Sequence, residues 1–190
     1  MKIVDEQLIN KYFSNGRNIL ASISSSEVAG LVDAIQAVRL SKNTVYIAGN
    51  GGSASTASHF ATDIGIGSIR RNNPVRAVSL CENSAVITAL SNDVSFEFAF
   101  ADQLLLLAQP GDLLVVISAS GNSQNLINAV DVANKSGVTS YSITGFDGGK
   151  LKKITNSRNV HVQSNLGEYG LVEDAHLAIC HVITECIRSN

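Results

Sequence analysis

The chain has 190 residues, 45% hydrophobic and 16% charged, with 15 Gly, 2 Pro and a formal net charge of −2. That composition supports one globular domain with its own core and excludes a disordered or low-complexity chain. The near-neutral charge leaves no basic footprint for nucleic acid, yet it allows an anionic substrate, since main-chain N–H groups and helix ends hold phosphate without Lys or Arg. Cys81, Cys180 and Cys186 are an odd number at no metal-knuckle spacing, which points to a reducing compartment. The start of the chain interleaves Lys2, Asp5, Glu6 and Lys11 with apolar positions, so no secretory leader is expected. No apolar run approaches the roughly 20 residues of a membrane span. The expectation is a cytoplasmic protein with neither a membrane nor a direct nucleic-acid partner.

In chain order, Leu8, Ile9, Tyr12, Phe13, Ile19 and Leu20 recur at helical spacing, with Asn15-Gly16 as a candidate break. Val28, Leu31, Val32, Ile35, Val38 and Leu40 mark a second helix, with Ser26 as its expected cap. This helical extension, residues 1–42, has no strand of its own, so part of it is expected to pack against another subunit. From Thr44 the pattern becomes short apolar runs between helical segments. Strands are predicted at Val45–Ala48, Val75–Leu80, Leu113–Ile117, Thr139–Ile143 and Asn159–Val162. Helices are predicted at Ser53–Ile64, Ser84–Leu90, Ser95–Ala108, Ser123–Lys135 and Leu171–Arg188. Leu113-Leu114-Val115-Val116-Ile117 is apolar at every position, as in a parallel strand covered on both faces. The expected fold is α/β: a three-layer, doubly wound, five-stranded parallel sheet flanked by helices, one domain over residues 1–190.

Two strands run into small, polar loops: Gly49-Asn50-Gly51-Gly52-Ser53 and Ser118-Ala119-Ser120-Gly121-Asn122-Ser123. Each precedes a helix, so hydroxyls and unpaired N–H groups of the helix start are presented together, where the helix dipole favours an anion. Either loop alone reads equally as an ordinary turn with capping serines; two of them at strand ends point to a bound phosphate. Neither carries a Walker lysine or dinucleotide glycine spacing, so a phosphate without a nucleotide is the expected ligand.

These loops, together with His59-Phe60-Ala61, Ser91-Asn92-Asp93 and Thr144-Gly145-Phe146-Asp147-Gly148-Gly149, stand in the order seen in phosphoheptose isomerases. The chain resembles that family of sugar isomerase (SIS) domain proteins over nearly its whole length, least in the first forty residues. The resemblance implies a flavodoxin-like SIS domain. It also implies a homotetramer that converts sedoheptulose 7-phosphate to a heptose 7-phosphate through an enediol, with a bound Zn²⁺ or other divalent ion. Carried over by motif, the substrate-binding residues are Asn50, Gly51, Gly52, Ser53, Asn92, Asp93, Ser118, Ala119, Ser120 and Ser123, with Glu173 alongside them.

His59 and Asp63 are four apart and share a helix face, while Glu173 and His181 are eight apart on one ridge of the last helix. Two imidazoles and two carboxylates make a plausible set for a divalent ion. The chain departs from the family at two of these positions: Asp63 replaces a glutamate that serves as base and ligand, and Glu173 replaces a glutamine ligand. The first change removes a methylene of reach; the second adds a carboxylate nearby, and Glu173 is expected to take over part of the lost role. The candidate catalytic residues are thus Asp63, Glu173 and His181, with His59, Asp63, Glu173 and His181 as the metal set. His176 and Asp174, on the same helix, rank behind them, with surface or salt-bridge roles expected. The alternatives are a non-catalytic tetrameric scaffold, suggested by the loss of the family glutamate, and a sugar-phosphate-sensing regulator.

Overall fold

A computed structural model of the chain describes residues 5–71 and 74–189. Helices α1 (Glu6–Ala21) and α2 (Ser25–Leu40) precede β1 (Thr44–Gly49), α3 (Gly52–Ile64), β2 (Arg76–Ser79), α4 (Ser84–Asp93) and α5 (Ala101–Leu107). Then follow β3 (Leu113–Ser118), α6 (Gln124–Lys135), β4 (Thr139–Thr144), α7 (Gly149–Thr155), β5 (Asn159–His161) and α8 (Tyr169–Ser189). The five strands form one parallel sheet in the order β2-β1-β3-β4-β5. This is the flavodoxin-like order, in which the connection reverses between β1 and β3 and a ligand crevice opens at their carboxyl ends.

Strand β3 shows why its sequence is apolar throughout. Leu113, Val115 and Ile117 pack into one core with α2, α3 and α8, whereas Leu114 and Val116 pack into the other with α5, α6 and α7. Strand β1 alternates likewise, Val45 and Ile47 on the first side and Tyr46 and Ala48 on the second. The three predicted layers are therefore present, with α1 laid along α8.

Several local expectations are corrected. The cap of α2 is Ser24, not Ser26: Ser24 is extended and its Oγ accepts from the Glu27 N–H, while Ser26 lies inside the helix. Helix α1 runs unbroken through Asn15-Gly16; Gly16 lies where α1 crosses Leu171 of α8, and Asp5 Oδ1 caps the start. The segment predicted as one helix from Ser95 is a short 3₁₀ turn, Phe96–Phe98, followed by α5. There the chain bends to bury Ala99, Phe100 and Leu104. Helix α7 was not foreseen; it is short and buries only Leu151 and Thr155. Among the described residues, no helix is long and apolar enough to cross a membrane.

Candidate functional site

The sheet order sets the site. Gly49 of β1 pairs level with Ile117 of β3, so the loops that follow these strands lie side by side at the switch point. Neither α3 nor α6 is closed by a side-chain cap, although Gly51 and Ser123 occupy the cap positions. Gly51 has φ 55° and no side chain to offer; Ser123 is extended, and its hydroxyl is not spent on its own helix. Two uncapped helix starts therefore face one crevice, an arrangement suited to an anion.

The loops are fastened to each other and to their surroundings. Asn50 and Asn125 exchange amide hydrogen bonds, Asn50 Nδ2 to Asn125 Oδ1 at 2.9 Å and Asn125 Nδ2 to Asn50 Oδ1 at 2.8 Å, which ties the first loop to the first turn of α6. Asn125 did not figure in the sequence reading: in a helix start it looks like any polar residue, and its partner lies 75 residues away. Ser118 Oγ accepts from the Gly121 N–H at 3.1 Å, and Gly121 needs its φ of 64° to make that turn. The Gly121 carbonyl in turn accepts from Leu151 N of α7 at 2.9 Å. Ser120 Oγ accepts from Asn122 N, and Ser53 and Ala119 are both buried beneath the loops.

Helices α3 and α8 run side by side in the same direction, which brings three of the predicted ligands together. His59 Nε2 lies 3.2 Å from Asp63 Oδ2 and 3.1 Å from His181 Nε2. One ligand atom from each residue lies within 4.8 Å of the other two. The rings meet edge to face, with centroids 5.0 Å apart. Three potential ligand atoms this close together could hold one cation. These two separations come close to the roughly 3.3 Å between neighbouring ligands of a tetrahedral zinc with bonds of about 2.0–2.1 Å. His59, Asp63 and His181 thus fit a divalent ion.

Glu173 stands apart from this trio. Its carboxylate rests against Gly52 at the first phosphate-type loop, filling the space where a side chain at that position would go. Asn92 and Asp93 lie at the end of α4, exposed, with Asn92 Nδ2 donating to Asp93 Oδ1 at 2.8 Å. His176 is not on the surface as expected but fully buried, and burial lowers its imidazole to about 4. Asp174 is exposed and accepts from Tyr12 Oη at 2.8 Å. Cys81 donates its thiol to the Gly49 carbonyl at 3.3 Å, and burial pushes that thiol up. His161 Nδ1 pairs with Thr144 Oγ1 within a polar network on β4 and β5, and burial holds its imidazole down.

The family model for the SIS domain matches residues 11–145. A probable phosphoheptose isomerase of Thermoplasma acidophilum is 33% identical over 177 residues, which cover 93% of this chain and 96% of the relative. This chain belongs to the phosphoheptose isomerase family of SIS-domain proteins. Solved structures of phosphoheptose isomerases agree with the fold. That from Neisseria gonorrhoeae superposes with a TM-score of 0.87 at 26% identity, covering 97% of this chain and 99% of that one. That from Francisella tularensis gives 0.89 at 26% identity, covering 99% and 100%.

Proposed function

We propose that the protein is an aldose–ketose isomerase that converts sedoheptulose 7-phosphate to D-glycero-D-manno-heptose 7-phosphate. The observation that carries the reading is the convergence of His59, Asp63 and His181 on two helices, one of which starts at a phosphate-type loop. A scaffold or a sugar-phosphate sensor would need the loops but not this trio. In the proposed mechanism, Asn50, Gly51, Gly52, Ser53, Ser118, Ser120 and Ser123 hold the substrate phosphate at the starts of α3 and α6, and Ala119 closes the floor. Anchoring the phosphate places the reacting carbons within reach of side chains above the loops. Glu173, whose carboxylate lies against Gly52, would swing away from the bound phosphate and toward His181 to take the proton from the carbon beside the carbonyl. His181 gives a proton to the carbonyl oxygen, which makes the enediol; the adjacent hydroxyl then returns a proton to His181 while the former carbonyl carbon takes one from Glu173, which completes the shift. A Zn²⁺ or similar ion held by His59, Asp63 and His181 would supply Lewis-acid polarisation of the carbonyl, with the imidazole then serving as a ligand.

The same reading assigns the protein to the cytoplasm, in supply of heptose for a lipopolysaccharide, capsule or other glycan. It also assigns a homotetramer, which would cover surface that this chain leaves bare. Helix α4 buries none of its side chains, Leu105 and Leu106 of α5 are 64% and 83% exposed, and Leu8 and Phe13 of α1 are 63% and 70% exposed. Asn92 and Asp93, at the end of α4, would then meet substrate at a boundary between subunits.

The test is incubation with sedoheptulose 7-phosphate in D₂O, with and without Zn²⁺, followed by NMR. Aldose should appear, with deuterium at the carbon beside the carbonyl. Failure of both excludes this substrate. Glu173→Gln should lower kcat by about 10²–10⁴-fold, the usual worth of a general base. Normal turnover in Glu173→Gln beside its loss in Asp63→Asn would return the base to Asp63.

A further inference from the structure

Asp63 is the penultimate residue of α3, in a last turn where main-chain carbonyls lack partners within the helix. A short carboxylate there follows its own backbone closely, so whatever holds the end of α3 also decides where the carboxylate points. The structure shows what holds it. Arg188, near the far end of α8, donates from Nη2 to the Asp63 carbonyl at 3.1 Å. The same Nη2 lies 3.9 Å from Asp63 Oδ1, while Oδ2 faces His59. Arg188 Nε contacts Ser68 Oγ at 3.4 Å, and Ser68 Oγ donates to the Asp63 carbonyl at 3.0 Å. The guanidinium therefore grips the carbonyl both directly and through Ser68. Glu185, one turn back on α8, faces Arg188 Nη1 at 3.4 Å. Room for this is left by Gly67: a Cβ there would stand 2.6 Å from Arg188 Nη2. A cation at a helix C-terminus is favoured by the helix dipole, so the contact also steadies α3.

We propose that Arg188 is a positioning residue, which keeps the Asp63 carboxylate turned so that one oxygen serves the His59–His181 pair. The proposal rests on the reading of Asp63 as the carboxylate of that cluster. Arg188 touches neither imidazole in this arrangement and acts only through Asp63. Its two contacts, carbonyl and carboxylate, fix the orientation of a short side chain that would otherwise turn freely.

The test uses the full chain carrying Arg188→Met, Arg188→Lys, Asp63→Asn and the Arg188→Met/Asp63→Asn pair. With sedoheptulose 7-phosphate, Arg188→Met should lower kcat by about 10–100-fold, the order expected for a misplacement near 1 Å, and leave KM within about twofold. Arg188→Lys should recover part of the loss, because an ammonium can still reach the carbonyl but lacks the second arm. In the Asp63→Asn background, Arg188→Met should cost nothing further. A second readout needs neither turnover nor metal: imidazole ¹H–¹⁵N spectra of the chelator-treated protein at one fixed pH. There Arg188→Met should move the His59 signals in the direction that Asp63→Asn moves them. Unchanged His59 signals in a folded Arg188→Met protein, when Asp63→Asn shifts them, would overturn the proposal. So would an additive loss in the double variant. If the wild type fails to isomerise the sugar, the substrate reading falls, and the imidazole spectra still decide the role of Arg188.

Discussion

Gly52→Ala separates the position of Glu173 from the stability of the fold. Gly52 opens α3, and a Cβ on it would stand 2.6 Å from Glu173 Oε1 and nearer still to Oε2. Ordinary contact begins at 3.4 Å, so even Oε1 must retreat by about 3.4 − 2.6 = 0.8 Å, and Oε2, which lies nearer, by more. The obstacle is the end of a flexible side chain on a partly exposed residue, so the carboxylate moves and the backbone stays. Alanine gains at most about 1 kcal/mol over glycine in a helix. Turning Glu173 off its rotamer costs about 0.5–1.5 kcal/mol. The two nearly cancel, and Tm should stay within about 2–4 °C, the equivalent of 1 kcal/mol in a domain of this size. Turnover should not be spared: a shift approaching 1 Å in the group that takes the proton costs up to about a hundredfold. The assay pairs a thermal melt with kcat for aldose formation, for Gly52→Ala, Glu173→Gln and the double variant. The reasoning predicts that Gly52→Ala loses about 10–100-fold in kcat and that the double variant is no worse than Glu173→Gln alone. Wild-type kcat in a well-folded Gly52→Ala protein would refute it, since Glu173 would then be indifferent to where it sits.

Two further outcomes follow from buried groups. Asn125→Ala leaves the Asn50 amide without its reciprocal partner; stability should fall by about 1–2 kcal/mol. KM for the phosphosugar should rise in the same variant as the first loop loosens, and an unchanged KM would show that the loop holds its shape without the amide pair. His176 is held at about 4 in the folded chain against about 6.5 when unfolded, so between those values the unfolded chain takes up the proton first. Its contribution is fully present above pH 6.5 and shrinks as pH falls toward 4, by up to about 3 kcal/mol. Urea melts at pH 7.5, 5.5 and 4.5 should show this decline in the wild type and a flatter profile in His176→Leu. Parallel profiles would exclude His176 as the source.

The sheet was legible in the sequence because burial on both faces leaves a plain signature: β1 and β3 are apolar at consecutive positions, and each runs straight into a small, polar loop. Elements whose burial is partial were read less well. Helix α7 hides because seven residues with two buried side chains give no period, and α5 was run together with Phe96–Phe98 because its break is made by core packing of Ala99 and Phe100. Ser24 and Ser26 carry the same side chain two positions apart, and only the backbone turn at Ser24 tells which of them caps α2.

The site divides along a similar line. Loop composition and the four-residue offset of His59 and Asp63 are local, and both could be read directly. The meeting of His59 with His181 depends on α3 and α8 packing side by side, and the roles of Asn125 and Arg188 depend on partners 75 and 125 residues away. Glu173 shows the sharper limit. Its eight-residue spacing from His181 gives a shared ridge, but a ridge is an angle about the helix axis, not a distance along it. Eight residues rise about 12 Å, and the seven from Gly52 to His59 rise about 10 Å. Because α3 and α8 run in the same direction, those two rises match, which puts Glu173 level with Gly52 when His181 is level with His59. Asp63, offset from His59 by only about 6 Å of rise, is bridged to it by the side chains themselves. The parallel packing thus divides the two carboxylates: one joins the imidazoles, and the other is set at the loop where the phosphate is proposed to bind.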